Sequence, residues 1–546
     1  MNGYLDDAPL RAPRRDGEAV VQPDWPRLPA LIRENQLLRH TSQAEVLGRP
    51  LAALAAQARG DLLREALRYT RAYRDVATPI PAERVDLPVI LAGHQPELFH
   101  PGVWFKNFAL GHLARGCGGV AVQLLIDNDL CRAPSIRVPA GSLASPEARV
   151  VVYDRPGAEV PYEQRRLLDP GTFRAFGRRV AEAIAPWVPD PLVRQLWPQV
   201  ERAARRTDNL GRCLAEGRHR LEGQWGLETL ELPLSVPCDG EPFLWFVASV
   251  LVRLPEFQEI YNGSLEEFRR EQRIRSRTHP VAALDRQDAW REAPFWVWRD
   301  DQPQRGRLLC RPGAGGIELS DGQQRVGLLS WRGDGDAAKV VEQLQALRAS
   351  GVKIRPRALM TTMFARMLLG DLFVHGIGGA RYDRLTDRLI RRSFNVQPPS
   401  YVAISATAWL PVPRPDVAPE DLRQVDHLLR ELQYHPERHL DVADIGGERN
   451  GSLAHWVAEK ERWVRMQLPR GACRQRHEQI GRANEALRPG LAHRRQLLLE
   501  ERSRLRELLH QRRLLDSREY AFCLHPAAEL RRLLEGLLPG GASRCG

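Results

Sequence analysis

Lysine is nearly absent from this sequence of 546 residues: of its 80 lysine and arginine residues, only four are lysine. The net charge of +12 therefore rests on arginine, which is spread along the whole chain. A basic balance favours an anionic partner, but this even distribution weakens the argument. Single-stranded nucleic acid is usually bound by a basic groove interleaved with aromatic residues, and the sequence has no such stripe. We expect nucleic acid not to be a partner.

Paired cysteines and long apolar runs are also missing. The eight cysteines are scattered, with no CxxC pair and no cluster with histidine at the spacing of a zinc site. No apolar run approaches the roughly 20 residues of a membrane span. The start MNGYLDD is polar, which predicts no secretory signal. We therefore expect a reduced, cytoplasmic protein that does not enter a membrane.

The length predicts two or three domains, because a single core rarely grows beyond about 300 residues. Residues 1–84 are predicted to form an arm, loosely ordered up to about residue 24, and helices leading into the core. Residues 85–415 are predicted to form an α/β core, with a helical and connecting insertion at about 170–350. In 416–546, leucines near heptad spacing predict a coiled-coil hairpin of helices 453–468 and 474–515, interrupted at Pro489 and Gly490.

The stretch 87–137 carries the clearest pattern. An apolar run at 87–92 indicates a buried strand, and a polar loop follows it. A helix is predicted from about 103 to 115, and a second apolar run at 120–126 ends at Asp127, Asn128 and Asp129. This βαβ order is typical of doubly wound sheets, in which ligands bind outside the carboxyl ends of the strands.

Three basic side chains near the first loop are candidates for chemistry. His94 and His100 could bind phosphate or act as a base, although a loop histidine can also serve only as a hydrogen-bonding residue. Lys106 is a point charge suited to phosphate, or else a solvated helix residue. All three lie close in sequence to the end of the first core strand.

The acidic cluster and a second glycine turn add further candidates. Asp127 and Asp129 could hold Mg²⁺ or bind an amine or ribose, or could simply cap the next turn. Farther along, a strand at 371–375, a turn at 376–379 and a helix at 383–394 are predicted. Such a turn can bring backbone N–H groups to an anion. The candidate anion-binding residues of this segment are Gly378, Gly379, Arg381 and Tyr382. The alternative is an ordinary tight turn without a ligand. His375, at the end of the strand, is more typical of a structural residue.

Several separated motifs keep the order of one known family. The chain resembles the cysteine-adding enzyme of bacillithiol biosynthesis. The residues that carry the resemblance are Gly93-His94-Gln95, Asp127-Asn128-Asp129, Arg355-Pro356, Ile377-Gly378-Gly379 and Ser405-Ala406-Thr407, followed by the helical hairpin. The departures are His94 where the family has glutamine, an acidic cluster without its histidine, a shifted Lys106, and Ala380-Arg381 where the family continues to a glutamate.

The resemblance implies a Rossmann-like core of the nucleotidyltransferase type with a C-terminal α-helical coiled coil through which the protein forms a homodimer. It also implies a ligase that joins the carboxyl group of cysteine to the amine of glucosaminyl malate, a small anionic metabolite. We expect a nucleotide such as ATP or ADP with Mg²⁺ as cofactor. The expected contacts are His94, His100, Asp127 and Asp129 for catalysis, and Gly93, Gln95, Lys106, Gly378, Gly379, Arg381 and Tyr382 for the cofactor, with no protein metal site.

Two other functions stay open on the sequence alone. One is a nucleotidyl or other group transferase that acts on a different small anionic metabolite. The other is a non-catalytic dimeric scaffold that keeps the fold. The retained polar loops favour an enzyme, whereas the missing family histidine and glutamate favour the scaffold.

Overall fold

A computed structural model describes residues 10–76, 86–142, 145–276, 278, 281–440, 451–467 and 473–540. The chain is mixed α/β and divides into two compact units. The first lies within 1–138, 149–411 and 518–546, and the second within 139–148 and 412–517. The sequence placed the boundary near 415 and assigned everything after it to the helical domain. The structure instead returns residues 518–540 to the first unit, because Phe522 and its neighbours pack against the core.

The strands occur in the following order. They are β1 Glu18–Gln22, β2 Glu45–Val46, β3 Arg49–Pro50, β4 Val89–His94, β5 Val120–Leu125, β6 Ser135–Ser142, β7 Ser145–Val152, β8 Leu230–Pro233, β9 Arg286–Gln287, β10 Trp290–Arg299, β11 Gly306–Gly313, β12 Gly316–Ser320, β13 Arg325–Ser330, β14 Val352–Pro356, β15 Leu372–His375 and β16 Tyr401–Thr407.

The helices of the first unit are α1 Leu28–Thr41, α2 Leu51–Arg71, α3 Pro101–Cys117, α4 Pro170–Ile184, α5 Val193–Ala204, α6 Leu210–Gln224, α7 Ser235–Cys238, α8 Glu241–Leu251, α9 Leu254–Glu271, α10 Ala337–Ala349, α11 Ala358–Phe364 and α12 Ile377–Phe394, with Ala527–Gly536 near the C-terminus. The sequence also predicts one helix over 357–369. In the structure this segment is divided, since α11 ends at Phe364 and a π-helical turn continues it from Ala365 to Leu369.

The main sheet has the order β1-β16-β15-β4-β5-β8. Strands β16, β15, β4, β5 and β8 are parallel. Their sequences are near-continuous apolar runs because both faces of a parallel sheet are covered, and β5 and β16 are buried at every position. The predicted parallel α/β sheet is therefore confirmed, while its kinship with nucleotidyltransferases stays a prediction.

The start of the chain differs from the expected arm. Residues 18–22 form β1, which pairs antiparallel with β16 from Glu18 opposite Thr407 to Gln22 opposite Ala403. The sequence also predicts strands at 149–152 and 165–168. The first is present within β7, but the second is not a strand and makes one isolated bridge, from Arg166 to Asn209. The insertion at about 170–350 contains more sheet than expected, because β10–β14 form a second antiparallel sheet.

The second unit contains helices Pro419–Tyr434, Gly451–Arg465, Cys473–Leu487 and Ala492–Leu515. The predicted break is confirmed as a 3₁₀ turn over Arg488–Leu491. The pairing differs from a simple hairpin: Gly451–Arg465 packs on Cys473–Leu487, while Ala492–Leu515 packs on Pro419–Tyr434. Buried leucines and valines form two separate clusters between these helices, and coiled-coil geometry stays a prediction.

Helix α3 is fixed at its first turn by a close approach to β16. A Cβ added to Gly102 would clash with the carbonyl oxygen of Ala406. Near the other end of α3, a Cβ at Gly116 would meet no atom within 4 Å. The two glycines therefore differ in packing, although both belong to one helix.

We expect Gly102→Ala to lower the free energy of unfolding by about 1–3 kcal/mol, since the backbone at this position cannot move without displacing β16. Gly116→Ala should raise it by about 0.4–1 kcal/mol, because alanine restricts the unfolded chain at an unobstructed helical position. Urea unfolding of both variants measures the two changes. Equal effects of the two substitutions would contradict this account of the α3–β16 contact.

Candidate active site

The loops after β4 and β15 lie at the point where the strand order reverses. From β4 the chain adds β5 and then β8 on one side, whereas β15 and β16 lie on the other side. Parallel strands end at the same edge, so the loops after β4, β5 and β15 are neighbours there. This carboxyl edge is where open α/β sheets bind ligands.

Gln95 and Asp129 connect the loops after β4 and β5. The Gln95 Nε2 donates a hydrogen bond to Asp129 Oδ2 at 2.9 Å. Asp129 Oδ1 accepts from its neighbour Leu130 N at 2.9 Å and from Arg305 Nη1 at 3.2 Å. The side chain of Asp129 stays 40% exposed. The structure thus brings together two residues selected from the sequence and leaves one carboxylate accessible.

Asp127 is buried and has a different environment. Its carboxylate accepts hydrogen bonds from the N–H and the hydroxyl group of Ser235, at 3.0 and 2.5 Å. Burial and the charge of Glu163 raise the pKa of Asp127 to about 7. Glu163 in turn forms a bidentate ion pair with Arg355, at 2.7 and 2.9 Å. The Ser235 contacts join the loop after β5 to the start of α7 and do not cap the next turn of the chain. The raised pKa gives Asp127 a proton equilibrium near neutrality.

Two arginines from the second sheet region surround one indole ring beside Asp129. The guanidinium groups of Arg305 and Arg357 lie 4.1 and 4.2 Å from the Trp296 ring centroid. Arg305 also donates to the carbonyl of Asn128 at 2.9 Å, and Arg357 pairs with buried Glu292 at 2.6 Å. Burial, together with the positive charge of Arg357, lowers the pKa of Arg305 despite the nearby Asp129. The cluster is suited to binding a carboxylate or phosphate group.

Glu97 supplies a second carboxyl group at the same edge. It accepts a hydrogen bond from Tyr162 Oη at 2.9 Å. Burial of the carboxyl group and the charge of Asp129 raise its pKa, while the Tyr162 bond opposes the shift. Glu97 is nevertheless exposed at the surface. A carboxyl group of raised pKa that a ligand can reach is a candidate acid or base.

His94 and Lys106 lie beneath the loop rather than in it. Both are buried, and Lys106 Nζ donates to the carbonyl of Gly93 at 3.3 Å. Burial lowers the pKa of Lys106 to about 8. Burial and the charges of Lys106 and Arg218 lower the pKa of His94 well below its ordinary value. Neither residue is a solvated side chain; they form a buried basic layer under the site.

His100 has the hydrogen-bonding role that was the alternative for a loop histidine. Its Nδ1 accepts from the N–H of Gly102 at 3.1 Å and so caps α3. Its Nε2 lies 3.7 Å from Glu519, and burial lowers its pKa to about 4. At neutral pH the ring is uncharged, which suits a cap better than a phosphate ligand.

The predicted glycine turn at 376–379 is not a turn. Helix α12 begins at Ile377, directly after β15 and Gly376, so all four candidates here lie in its first two turns. Its N-cap provides no side-chain acceptor, and a Cβ at Gly376 or Gly378 would meet no atom within 4 Å. Gly378, Gly379 and Arg381 are exposed, whereas Tyr382 packs edge-on against Phe268. The first turn of this 18-residue helix, where N–H groups have no partner within the helix, therefore has open space beside two of its glycines.

His375 is held under the start of α12. Its Nε2 bonds Asp383 Oδ2 at 2.7 Å, and a Cβ at Gly379 would lie 2.8 Å from its Nδ1. Asp383 also accepts from Thr362 and Arg366, both at 2.7 Å. These contacts match the structural role favoured for His375. They also explain why a glycine stands at 379, since a side chain there would displace the imidazole.

Sequence reasoning missed Arg305, Trp296, Arg357 and Tyr162. They come from the segment before α4 and from the second sheet, and no local pattern relates them to Asp129. Glu97 had a signal, since it belongs to the polar loop between His94 and His100. Asn128 was in the acidic motif, and its Nδ2 donates to the carbonyl of Pro356 at 2.7 Å, which joins two of the motifs that carried the family resemblance.

Across the described ranges, no group of three or more histidine, cysteine, aspartate and glutamate side chains is arranged to hold a metal ion. In the same ranges no helix combines the length and the apolar character needed to cross a bilayer. The sequence matches no family model, and a search of curated proteins finds no match.

Proposed function

We propose that the protein is a cytoplasmic enzyme that forms an amide bond between an amino acid and the amine of a small anionic metabolite. The proposed substrates are cysteine and glucosaminyl malate. The observation that carries the proposal is the cluster at the carboxyl edge, where Glu97, Asp129 and Arg305 lie side by side. The free thiols of the described cysteines are consistent with a reducing compartment.

Each group of the cluster has a role in this reaction. Arg305 and Arg357 bind the carboxylates of the metabolite, because a guanidinium group matches carboxylate geometry. Glu97, with its raised pKa, accepts the proton that the attacking amine loses. The amine and the carboxyl group lose the elements of one water molecule when they condense.

A nucleoside triphosphate supplies the activation of the carboxyl group when it is bound, and its cleavage takes up that water. The start of α12 fits its phosphates, because the helix N-terminus favours anions and the space beside Gly376 and Gly378 is free of other atoms within 4 Å of a Cβ. A nucleotide-bound Mg²⁺ needs only one or two protein carboxylates. Asp129 would hold it, since Asp127 is buried and already accepts two hydrogen bonds from Ser235.

A nucleotidyl or other group transferase is the second candidate, and the open start of α12 favours it. The two candidates differ in their products. Purified full-length protein is incubated with cysteine, glucosaminyl malate, ATP and Mg²⁺, and mass spectrometry detects either the amide or a nucleotidylated metabolite. Neither product with any nucleoside triphosphate would leave the non-catalytic scaffold as the better account.

We expect Glu97→Gln to lower kcat for product formation by roughly 10²-fold or more, the usual contribution of a positioned base. The rate of the native enzyme should fall as pH drops below the raised pKa of Glu97, and Glu97→Gln should lose this acidic limb. Glu159→Gln, at an exposed carboxylate in the same unit, is the matched control. A kcat for Glu97→Gln equal to that of the control would remove Glu97 from the mechanism.

The proposal includes a homodimer formed through the helical unit. Three of its large apolar side chains, Tyr434, Val464 and Leu497, are about half exposed. Exposed apolar side chains on helices are candidates for an interface, although single ones are also common on monomers. Sedimentation equilibrium of the native protein and of a Val464→Glu, Leu497→Glu double variant tests whether these residues join two chains.

A further inference from the structure

A pocket of about 650 Å³ lies at the opposite edge of the main sheet from the candidate active site. The C-terminal end of α2, helices α5 and α6, and the segment just before β8 form its walls. Five arginines line it: Arg71, Arg74, Arg202, Arg206 and Arg220. The acidic residues of the lining are Asp75 and Glu228, both exposed.

Two of the arginines donate hydrogen bonds to backbone carbonyl groups. Arg74 donates to the carbonyl of His219 at 2.9 Å and to that of Leu227. Arg206 donates to the carbonyl of Ala72, and its nearest carboxylate, Glu216, is 3.9 Å away. Among the described residues, the other four arginines have no ion pair within 4 Å. No direct ion pair therefore neutralises these four, although the charge of buried Glu216 acts on Arg220 from a greater distance.

Arg220 has the least satisfied guanidinium group of those described in the pocket. Its Nε is buried and has no hydrogen-bond partner within the described ranges. Its guanidinium group lies 5.8 Å from the centroid of the Tyr73 ring. Burial and the positive charges of Arg202 and Arg206 lower its pKa, while the charge of Glu216 opposes the shift. Like charges gathered in a concave site concentrate the field, and an anion would relieve it.

We infer that this pocket binds a small anion that carries two or more phosphate groups. Several guanidinium groups converging on one pocket match the number and geometry of polyphosphate oxygens. The volume lies within the range of small-molecule sites, about 300–1,000 Å³. The inference does not depend on the proposed reaction, because the pocket and the candidate active site share no residue.

Isothermal titration of the full-length protein with sodium tripolyphosphate, at about 0.15 M salt, tests the inference. One saturable site is expected. A double variant, Arg202→Gln with Arg220→Gln, should bind at least about tenfold more weakly, since two charge-assisted contacts are lost. The matched control is Arg178→Gln with Arg194→Gln, which removes the same charge from two exposed positions and should leave Kd within about twofold of the native value.

Three results would overturn the inference. The first is that the native protein shows no saturable binding of tripolyphosphate. The second is that Arg178→Gln with Arg194→Gln weakens binding as much as Arg202→Gln with Arg220→Gln. The third is that the latter double variant binds tripolyphosphate as tightly as the native protein. If the double variant does not fold, as judged by its thermal unfolding, the exposed substitution Arg202→Gln alone serves, and it should also weaken binding. A parallel titration with a nucleoside triphosphate separates inorganic from nucleoside polyphosphates: tighter binding than tripolyphosphate identifies the nucleoside.

A further titration with an oligonucleotide tests whether the pocket binds nucleic acid instead of a small anion. A single-stranded 20-mer whose affinity falls steeply with salt, and which tripolyphosphate does not displace, would replace the small-ligand account with nucleic-acid binding. If the double variant Arg202→Gln with Arg220→Gln loses tripolyphosphate binding but still forms the amide, the pocket is a site separate from the candidate active site. Failure of amide formation alone would leave the inference standing.

Discussion

Replacing Arg218 by methionine is expected to lower the free energy of unfolding by about 3–5 kcal/mol, because the change leaves two carboxylates buried without their cation. Arg218 lies in α6 and pairs with Glu222, at 2.5 Å, and with Glu231 of β8. All three side chains are almost fully inaccessible. Urea unfolding at pH 8 measures the loss.

The surroundings of this network make the substitution costly. Glu222 Oε1 also accepts from Trp104 Nε1 at 2.6 Å and from Asn107 Nδ2 at 2.8 Å. These donors tie α3 to α6 beneath the candidate site. Methionine fills much of the volume of arginine but brings no donor, so the carboxylates keep only their neutral partners.

The loss should depend on pH in a defined direction. Burial raises the pKa of Glu231 to about 7 in the native protein, against 4.5 for the ordinary group. A carboxyl group with a raised folded pKa stabilises the protein at low pH and loses this contribution as pH rises towards the folded pKa. Without Arg218 that pKa rises further, so the penalty of Arg218→Met should be largest at pH 8 and smaller near pH 5.

Arg212→Met is the matched control for this experiment. Arg212 is exposed on the same helix, and surface substitutions of this kind usually change stability by less than about 0.5 kcal/mol. A pH-independent loss for Arg218→Met would mean that packing, rather than unpaired charge, explains the destabilisation. A loss no larger than that of the control would contradict the buried network itself.

The parallel strands could be predicted from the sequence because their signal is local. Runs such as 87–92 and 120–126 are apolar throughout, which is what burial on both faces of a sheet requires. The meeting of Gln95 and Asp129 followed from the same pattern, since neighbouring parallel strands bring their loops to one edge. The confirmed part of the fold and this part of the site therefore share one cause.

The missed elements depend on contacts between residues far apart in the sequence. Strand β1 exists because β16, almost 400 residues later, offers an edge. The Arg305–Trp296–Arg357 cluster reaches Asp129 across about 170 residues of chain. The start of α12 could not be predicted from the sequence because its glycines favour a turn. Glycine is unfavourable in helices by roughly 1 kcal/mol per residue. Tertiary contacts outweigh that cost, including the bond from Tyr401 Oη to the carbonyl of Ala380 at 2.9 Å.

Asp383 is the residue through which the start of α12 is fixed. Its buried carboxylate accepts from Thr362, Arg366 and His375, each at 2.7 Å. The charges of His375 and Arg366 hold its pKa far below the ordinary value of 3.8, in spite of burial. We expect Asp383→Ala to lower the free energy of unfolding by about 3–5 kcal/mol, since Arg366 stays buried and loses its best-enclosed partner.

Asp387→Ala provides the control, because Asp387 pairs with the same Arg366 at 2.5 Å but keeps 27% of its side chain exposed. Water can replace part of that contact, so the loss should be clearly smaller than for Asp383→Ala. Equal losses in the free energy of unfolding would mean that the two carboxylates stabilise Arg366 equally, whatever their burial. The comparison therefore tests enclosure of the ion pair and not only its presence.

The pH dependence has the opposite sign to that of Glu231. A carboxylate with a depressed folded pKa contributes stability above its unfolded pKa, here 3.8, and loses it as pH falls towards the folded value. The difference between native protein and Asp383→Ala should thus shrink as pH falls below 3.8. Because the same carboxylate fixes His375 against Gly379, Asp383→Ala should also loosen the start of α12, seen as faster hydrogen exchange there than in Asp387→Ala. If hydrogen exchange at the start of α12 is the same in the two variants, the ion pair stabilises the protein without fixing the conformation of the proposed phosphate site.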